Sequence, residues 1–191
     1  MSALRVPALA NSSSASRDVH LRLRRAEAGR VRRPRPVPGP PVRPPGYTWA
    51  QDYARHLKAN PSRVVNNCHL LGRQLGGSGT DLRNLATCGV DANTYPPRGG
   101  LGAMDNMVQF EDRVAGEVAE GDTVLYRVVP VYAGDRVVPK AFVMTATSWD
   151  ADGNPLGTQR RDVPNLMNTR SGWKNLGTVV HSRTGEDVPT P

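Results

Sequence analysis

The chain has no hydrophobic run that approaches the roughly 20 residues needed for a membrane-spanning helix. It also lacks a basic N-terminal patch followed by an unbroken apolar core, so the sequence predicts no ordinary secretory signal. Aromatic residues are scarce, with two phenylalanines in 191 residues, and hydrophobic residues make up only 38%. These absences argue against a membrane protein. They leave a chain that is cytoplasmic, exported by another route, or cut from a longer precursor.

Lysine is missing from residues 1–46, although this segment is the most basic part of the chain. Its ten arginines, one aspartate and one glutamate give a net charge of +8. The formal charges of the other 145 residues sum to zero. Prolines are too dense here for regular structure, so we predict a disordered Arg/Pro-rich tail with at most a transient helix over Val19–Ala28. Such a tail either binds polyanions through counterion release or is a solvated linker.

Residues 47–191 are predicted to form one α+β domain. Apolar residues spaced three and four apart predict the main helix at Met104–Ala119, and Thr48 is expected to cap a shorter helix that ends at Leu57. The predicted strands are Ser62–Asn66, Thr123–Tyr132, Pro139–Trp149, Pro155–Asp162 and Thr178–His181, with a turn at 150–154. The predicted fold is therefore a twisted antiparallel sheet with one main helix and a long loop insert that carries the site.

The candidate site lies in the centre of the sequence. A single histidine, His69, precedes a glycine-rich loop at 76–79, which is followed by Asn84 and Asn93. A neutral imidazole with a pKa near 6.5 can take a proton from water at physiological pH. A hard divalent ion such as Mg²⁺ prefers oxygen ligands and keeps several waters, so an amide oxygen can help to hold it. The pattern suits metal-assisted hydrolysis of a phosphodiester, although a lone histidine in a loop is more often a surface group.

The segment Cys68-His69-Leu70-Leu71-Gly72-Arg73-Gln74-Leu75-Gly76-Gly77 resembles the His-Leu-Ile/Leu-Gly…Gly-Gly segment of bacterial DNA/RNA non-specific endonucleases. These are ββα-metal, or His-Me finger, nucleases, and they include a branch linked to type VII secretion and polymorphic toxins. Leu82-Arg83-Asn84-Leu85-Ala86-Thr87 looks like the family segment with the metal-binding asparagine, and Gln109-Phe110-Glu111 resembles the start of its helix. The resemblance covers roughly residues 60–187 and implies a ββα-metal fold.

The resemblance also implies a role for each site residue. His69 is the general base, Asn84 is the metal ligand, and Asn93 is a second polar residue of the site. Glu111 is a supporting acid near the metal, which is implied to be Mg²⁺ or Mn²⁺. The simpler alternatives are that Asn84 is a turn former and that Glu111 is a solvated helix residue.

Two arginines are candidate substrate contacts. Arg73 and Arg83 can hold phosphates because arginine offers a planar fork of donors, and the alternative is that both are surface charges. The implied partners are DNA, RNA or both, together with a cognate immunity protein if the chain is a toxin. No membrane partner is expected.

The sequence departs from the family pattern just before the base. Where family members commonly read Asp-Arg-Gly-His, this chain reads Asn66-Asn67-Cys68-His69, which keeps hydrogen bonding but loses both charges. Cys68 and Cys88, the only cysteines, stand at the two ends of the site loop and suggest a disulfide, which would indicate an oxidising compartment. Two reduced thiols are the alternative. A zinc site with His69 and His181 lacks the paired Cys-x-x-Cys spacing of such sites.

Two functions follow from these observations. The first is a metal-dependent, sequence-non-specific endonuclease that acts as a toxin or effector, is secreted or extracytoplasmic, and leaves 5′-phosphate ends, as the resemblance implies. The second is a catalytically impaired protein on the same fold that binds nucleic acid through its arginine-rich tail. The loss of charge at Asn66 and Asn67 motivates the second function.

Overall fold

The structure is a computed structural model that describes residues 19–23, 42–94 and 106–179. The helices within these ranges are α1 (Tyr47–His56), α2 (Pro61–Val64), α3 (Val90–Asn93) and α4 (Met107–Glu120). The strands are β1 (Val19–Leu23), β2 (Val65–His69), β3 (Leu85–Gly89), β4 (Thr123–Val131), β5 (Ala141–Trp149), β6 (Pro155–Pro164), β7 (Leu166–Thr169) and β8 (Gly172–Asn175). No helix in the described ranges has the length and apolar character that a membrane crossing requires.

The largest sheet has the strand order β1-β4-β5-β6, and every pairing in it is antiparallel. Two separate hairpins, β2–β3 and β7–β8, complete the strand pairing. The predicted turn between β5 and β6 is present, because the Asp150 side chain accepts backbone N–H bonds from Asp152 and Asn154 at 3.0 and 2.8 Å. The predicted α+β class with antiparallel strands is confirmed.

The main core lies between α4 and the large sheet. The buried face of α4 contributes Phe110, Val114 and Val118, and the facing strands contribute Val124, Tyr126, Val128, Phe142 and Met144. Asn106 and Gln109 form a capping box at the N-terminus of α4, and Gly121 ends the helix with a φ of 113°. This helix was predicted from its apolar spacing, and it holds Glu111 on its buried side.

A second core fixes the β2–β3 hairpin against the rest of the domain. Val65 at the start of β2 packs with Ala50 and Ala54 of α1 and with Met167 of β7. The fully buried amide of Asn165 accepts a bond from the Gly89 N–H at 2.8 Å and donates to the carbonyl oxygens of Thr87 and Pro139 at 3.1 and 2.7 Å. The end of the hairpin opposite His69 is therefore held on both strands.

Several local predictions were wrong. Residues 61–64 form a helix where a strand was expected, because the Asn60 side chain caps it and Pro61 occupies its first turn. Thr48 does not cap α1, whose N-cap is Gly46 in the left-handed region with no side-chain cap. Val19–Leu23 pairs with β4 as a strand and is not part of a helix.

Other predictions are only partly covered by the described ranges. Thr178 and Val179 lie outside any strand, and the rest of the predicted C-terminal strand falls outside the described residues. The first residues of the predicted main helix, Met104 and Asp105, also lie outside them, as do residues 1–18 and 24–41 of the predicted tail. The proposed boundary between the tail and the domain stays a prediction.

Candidate active site

His69 is the last residue of β2, and it faces Leu85 across the hairpin. The sequence placed this histidine in a loop, whereas the structure places it where regular strand pairing ends. Cys68 and Cys88 form a disulfide across the same hairpin, with their Cα atoms 5.8 Å apart. Because side chains alternate along a strand, the disulfide lies on the face opposite His69. His69 is thus carried by a strand pair that is joined both by hydrogen bonds and covalently.

Asn84 holds the loop that follows the base. Its Oδ1 accepts a hydrogen bond from the Leu71 N–H at 2.9 Å, and its Nδ2 donates to the carbonyl oxygens of Leu71 and Ser78 at 3.0 and 2.9 Å. Both amide protons and one of the two Oδ1 lone pairs are therefore in use. Asn84 is buried, with 8% of its surface exposed. One lone pair of Oδ1 is what remains for the metal-ligand role predicted from the sequence.

Glu111 holds the same loop from the other side. One carboxylate oxygen accepts from the Gly72 N–H at 2.8 Å and from the Tyr126 hydroxyl at 3.3 Å, and the other accepts from the Gln74 amide at 2.9 Å. Burial raises the pKa of Glu111 to about 7, although these hydrogen bonds oppose the shift. The alternative of a solvated helix residue is wrong, since Glu111 is only 2% exposed.

Arg73 places a positive charge beside the base. A Cβ added to Gly79 would lie 3.1 Å from Nη2 of Arg73 and 3.3 Å from Nε2 of His69, so these two nitrogens can be no more than 6.4 Å apart. Burial lowers the pKa of His69, and the Arg73 charge lowers it further. The imidazole is therefore kept neutral at physiological pH, as a general base requires.

The Nε2 atom of His69 is buried and has no hydrogen-bond partner among the described residues. The Gly76–Gly79 loop covers it, because Gly79 approaches this nitrogen closely. A side chain at position 79 would meet both the imidazole and the Arg73 guanidinium. The predicted glycine loop thus shapes the space around the base.

The other two predicted residues are placed differently. Arg83 is engaged by Asp81, with Nη2 2.7 Å and Nε 3.1 Å from the carboxylate, so its charge is balanced locally. Asn93 ends the short helix α3 and is partly exposed. Within residues 42–94 and 106–179, no hydrogen bond connects its side chain to the site residues His69, Asn84 or Glu111.

The sequence analysis missed a backbone element beside the base, here named the Val42–Pro45 strap. The carbonyl oxygen of Val42 accepts from the Asn67 amide, and that of Pro45 accepts from the Thr87 hydroxyl, both at 2.7 Å. Asn67 and Thr87 are directly opposite each other in the hairpin. Asn67 also shares a face with His69, two residues along the strand. No side-chain pattern could have revealed the strap, since it docks through carbonyl groups.

A divalent metal would find few protein ligands here. No group of three or more His, Cys, Asp or Glu side chains is placed to hold an ion in the described part of the chain. Mg²⁺, however, commonly uses one or two protein oxygens and completes its shell with water and substrate phosphate. The amide oxygens of Asn93 and Asn84 are of the chemical type that such a weakly held hard ion accepts.

Comparison with solved structures identifies similar folds at low sequence identity. An extracellular endonuclease is 19% identical with a TM-score of 0.50, and the match covers 99% of this chain and 87% of that one. NucA from Streptococcus agalactiae, solved with no metal bound, is 18% identical with a TM-score of 0.50 over 94% and 80% of the two chains. The Sda1 nuclease with bound zinc is 22% identical with a TM-score of 0.46. That match covers 65% of this chain and spans only 44% of the Sda1 nuclease.

No curated protein matches the sequence. The family model for DNA/RNA non-specific endonuclease matches residues 43–150, which is more than half of the chain. This range contains the β2–β3 hairpin, the glycine loop, α3 and α4, and the predicted ββα-metal fold is confirmed. The chain belongs to the DNA/RNA non-specific endonuclease family.

Proposed function

We propose that this protein is a metal-dependent endonuclease that hydrolyses phosphodiester bonds of DNA, RNA or both without reading their sequence. The observation that carries the proposal is the environment of His69, a histidine at a strand end with an unpartnered buried Nε2 and a lowered pKa. Family membership supports the same reaction. Sequence readout needs side chains that enter a groove and contact base edges, and no described element has that form.

In the proposed reaction, neutral His69 takes a proton from water as the water oxygen attacks phosphorus. The bond between phosphorus and the 3′ oxygen breaks, which leaves a 5′ phosphate on one product. Arg73 would hold a phosphate oxygen, and its Nη2 lies no more than 6.4 Å from Nε2 of His69. Asn84 and Glu111 act through the loop, since their hydrogen bonds fix the backbone between Leu71 and Ser78.

A divalent ion, Mg²⁺ or Mn²⁺, would stabilise the negative charge that develops on the phosphate and the leaving oxygen. Of the two predicted asparagines, Asn93 makes no side-chain hydrogen bond within the described residues, whereas Asn84 retains a single lone pair. We therefore propose Asn93 as the main protein ligand, with Asn84 contributing at most that lone pair. Asn84 is chiefly a positioning residue in this proposal.

The first experiment is digestion of plasmid DNA and total RNA with Mg²⁺, with Mn²⁺ or with EDTA, comparing the wild type with His69→Ala. We expect metal-dependent cleavage that His69→Ala removes. A titration of Mg²⁺ then separates the asparagines. Asn93→Ala should raise the metal concentration needed for half-maximal rate without changing the melting temperature, whereas Asn84→Ala should lower the melting temperature. Full metal-dependent cleavage by His69→Ala would overturn the assignment of the base.

A second candidate function is a nucleic-acid-binding protein that has lost turnover. Two observations favour it: Gly79 covers Nε2 of His69, and both charges before the base are replaced by asparagine. In this case intact substrate and salt-sensitive gel shifts are expected from wild type and His69→Ala alike. The digestion assay therefore separates the two candidates directly.

A role outside the cytoplasm is proposed on the basis of the disulfide, which persists in oxidising compartments. A secreted nuclease of this kind acts as a toxin or effector, and a toxin that cleaves nucleic acid requires a cognate immunity protein in the cell that makes it. Expression of the active chain in the cytoplasm, with and without neighbouring genes, tests this. Unimpaired growth with an active chain and no inhibitor would contradict the toxin role.

A further inference from the structure

We propose that Arg43, carried by the Val42–Pro45 strap, is a phosphate-binding residue of the substrate path on the face of the hairpin that bears His69. The inference rests on the nuclease function proposed above and adds a residue that the sequence did not suggest. The proposed ligand of Arg43 is a phosphate of the nucleic-acid backbone that lies to one side of the cleaved bond.

The strap is fixed to the hairpin at two points. Asn67 and Thr87 face each other across β2 and β3 and donate to the carbonyl oxygens of Val42 and Pro45. Thr87 is 1% exposed, so its hydrogen bond is shielded from water. Because Asn67 lies two residues before His69 on the same face, the strap crosses the hairpin about 7 Å from the base along the strand.

Arg43 lies between the two anchored carbonyl groups and is exposed. Its guanidinium carbon lies 5.8 Å from the centre of the Tyr47 ring, a distance that permits a cation–π contact. No carboxylate pairs with Arg43 within residues 42–94 and 106–179. Arg83, by contrast, is bound by Asp81. Among the described residues, Arg73 lies close to His69 and Arg43 lies on the strap that crosses the same hairpin, and neither has a carboxylate partner there.

An exposed guanidinium on a fixed backbone matches the chemistry of a phosphate oxygen, which it can bind through two parallel N–H donors. The resemblance gave this face an arginine at the position that Asn67 occupies here. In this chain Asn67 instead anchors the strap that carries Arg43, through its bond to the Val42 carbonyl oxygen. Such a contact is independent of base identity, which agrees with cleavage that does not read sequence.

The test measures binding separately from turnover. Fluorescein-labelled 20-nucleotide single-stranded and duplex DNA are titrated with the full chain in a His69→Ala background with EDTA, over a series of salt concentrations. Arg43→Gln is compared with two controls that remove the same charge elsewhere. Arg170→Gln lies in the exposed turn between β7 and β8, and Arg33→Gln lies in the arginine-rich tail.

We expect Arg43→Gln to weaken binding about five- to tenfold at low salt and to reduce the slope of log affinity against log salt by about one. Arg170→Gln should change the affinity less than twofold, and Arg33→Gln should weaken it less than Arg43→Gln does. Arg43→Lys should keep the slope, since it keeps the charge. In the active chain, Arg43→Gln should raise KM and leave kcat within about twofold, because the contact forms equally in the ground and transition states.

Equal effects of Arg43→Gln and the two controls would overturn the inference, and so would an absence of any binding to DNA. A wild type that binds with the expected salt slope but never cleaves would overturn the nuclease function and leave the Arg43 contact in place. The outcomes for the two proposals are therefore distinct.

Discussion

The Glu111 carboxylate accepts a hydrogen bond from the backbone N–H of Gly72 at 2.8 Å, three residues beyond His69. This contact joins the main helix to the loop that follows β2. Both groups are buried, so the N–H has no water to replace the carboxylate. The conformation of the loop, and therefore the position of His69, depends on the titratable side chain of Glu111 and on Gly72.

The ionisation of Glu111 should make stability depend on pH. Its pKa is about 7 in the folded chain and near 4.5 when unfolded, so the folded state holds the proton more tightly. The stabilisation from this group is complete below pH 4.5 and is lost as pH rises to about 7. Its upper limit is about 3 kcal/mol. Glu111→Gln, which keeps an acceptor for Gly72, should remove this dependence.

Urea denaturation at several pH values checks this prediction. The lowered pKa of His69 changes the free energy of unfolding in the opposite direction. Because this histidine is harder to protonate in the folded state, its contribution makes the folded state more stable as pH rises. Both proteins contain His69, so its contribution cancels when the free energy of unfolding of Glu111→Gln is subtracted from that of the wild type. Identical pH slopes for the two proteins would contradict the role given to Glu111.

Gly72→Ala should destabilise the loop for steric reasons. The φ of Gly72 is −62°, which any residue adopts, but an added Cβ would overlap the Glu111 carboxylate. We expect a loss of about 1–3 kcal/mol in the free energy of unfolding. Gly116→Ala is the matched control, since its Cβ would meet nothing within 4 Å on the exposed side of α4. That change should stabilise the chain by about 0.5–1 kcal/mol, and a similar gain from Gly72→Ala would refute the steric argument.

Arg73→Gln should move the acidic limb of the pH–rate profile to higher pH. Burial is the main cause of the low pKa of His69, and the Arg73 charge adds to it, so removing the charge leaves a base that protonates more readily. Cleavage by the variant should fall more at pH 5.5 than at pH 8, while Arg73→Lys keeps the wild-type limb. A uniform loss at all pH values would instead assign Arg73 to phosphate binding alone.

Loss of the disulfide should weaken the domain. Cys68 and Cys88 are fully buried and 20 residues apart in sequence, and a bridge of this span contributes about 3 kcal/mol in the chain-entropy model. A reducing agent should lower the melting temperature of the wild type. The Cys68→Ala/Cys88→Ala double variant should already melt lower and should not respond to the reducing agent. Equal melting temperatures for all of these samples would show that the bridge contributes nothing to stability.

The sequence predicted the helices and strands whose pattern of apolar side chains is sufficient to identify them. The apolar spacing of α4 and the alternation in β4 and β5 reflect burial against one core, so the ends of these elements were predicted to within three residues. The Asn60-Pro61 pair starts the helix α2, whereas the sequence was interpreted as a strand from Ser62 onward.

Other features depend on partners far along the chain. The strap docks through the carbonyl oxygens of Val42 and Pro45, which carry no sequence signature. Tyr126 looks like any inward residue of β4, yet its hydroxyl reaches Glu111. The residue type of Asn84 did not reveal its three backbone partners. An asparagine is equally compatible with forming a turn, binding a metal or holding a loop. The roles of His69, Asn84, Asn93 and Glu111 stay predictions.

The bridge between Cys68 and Cys88 also makes residues 68–88 a covalent ring. The base, the glycine loop and Asn84 all lie inside this ring. One broken peptide bond within it opens the ring but releases no fragment, whereas the same cut elsewhere in the chain divides it in two. A protease that reaches the glycine loop first would therefore leave a nicked chain of unchanged mass apart from one added water, and the cut would separate the halves only after reduction.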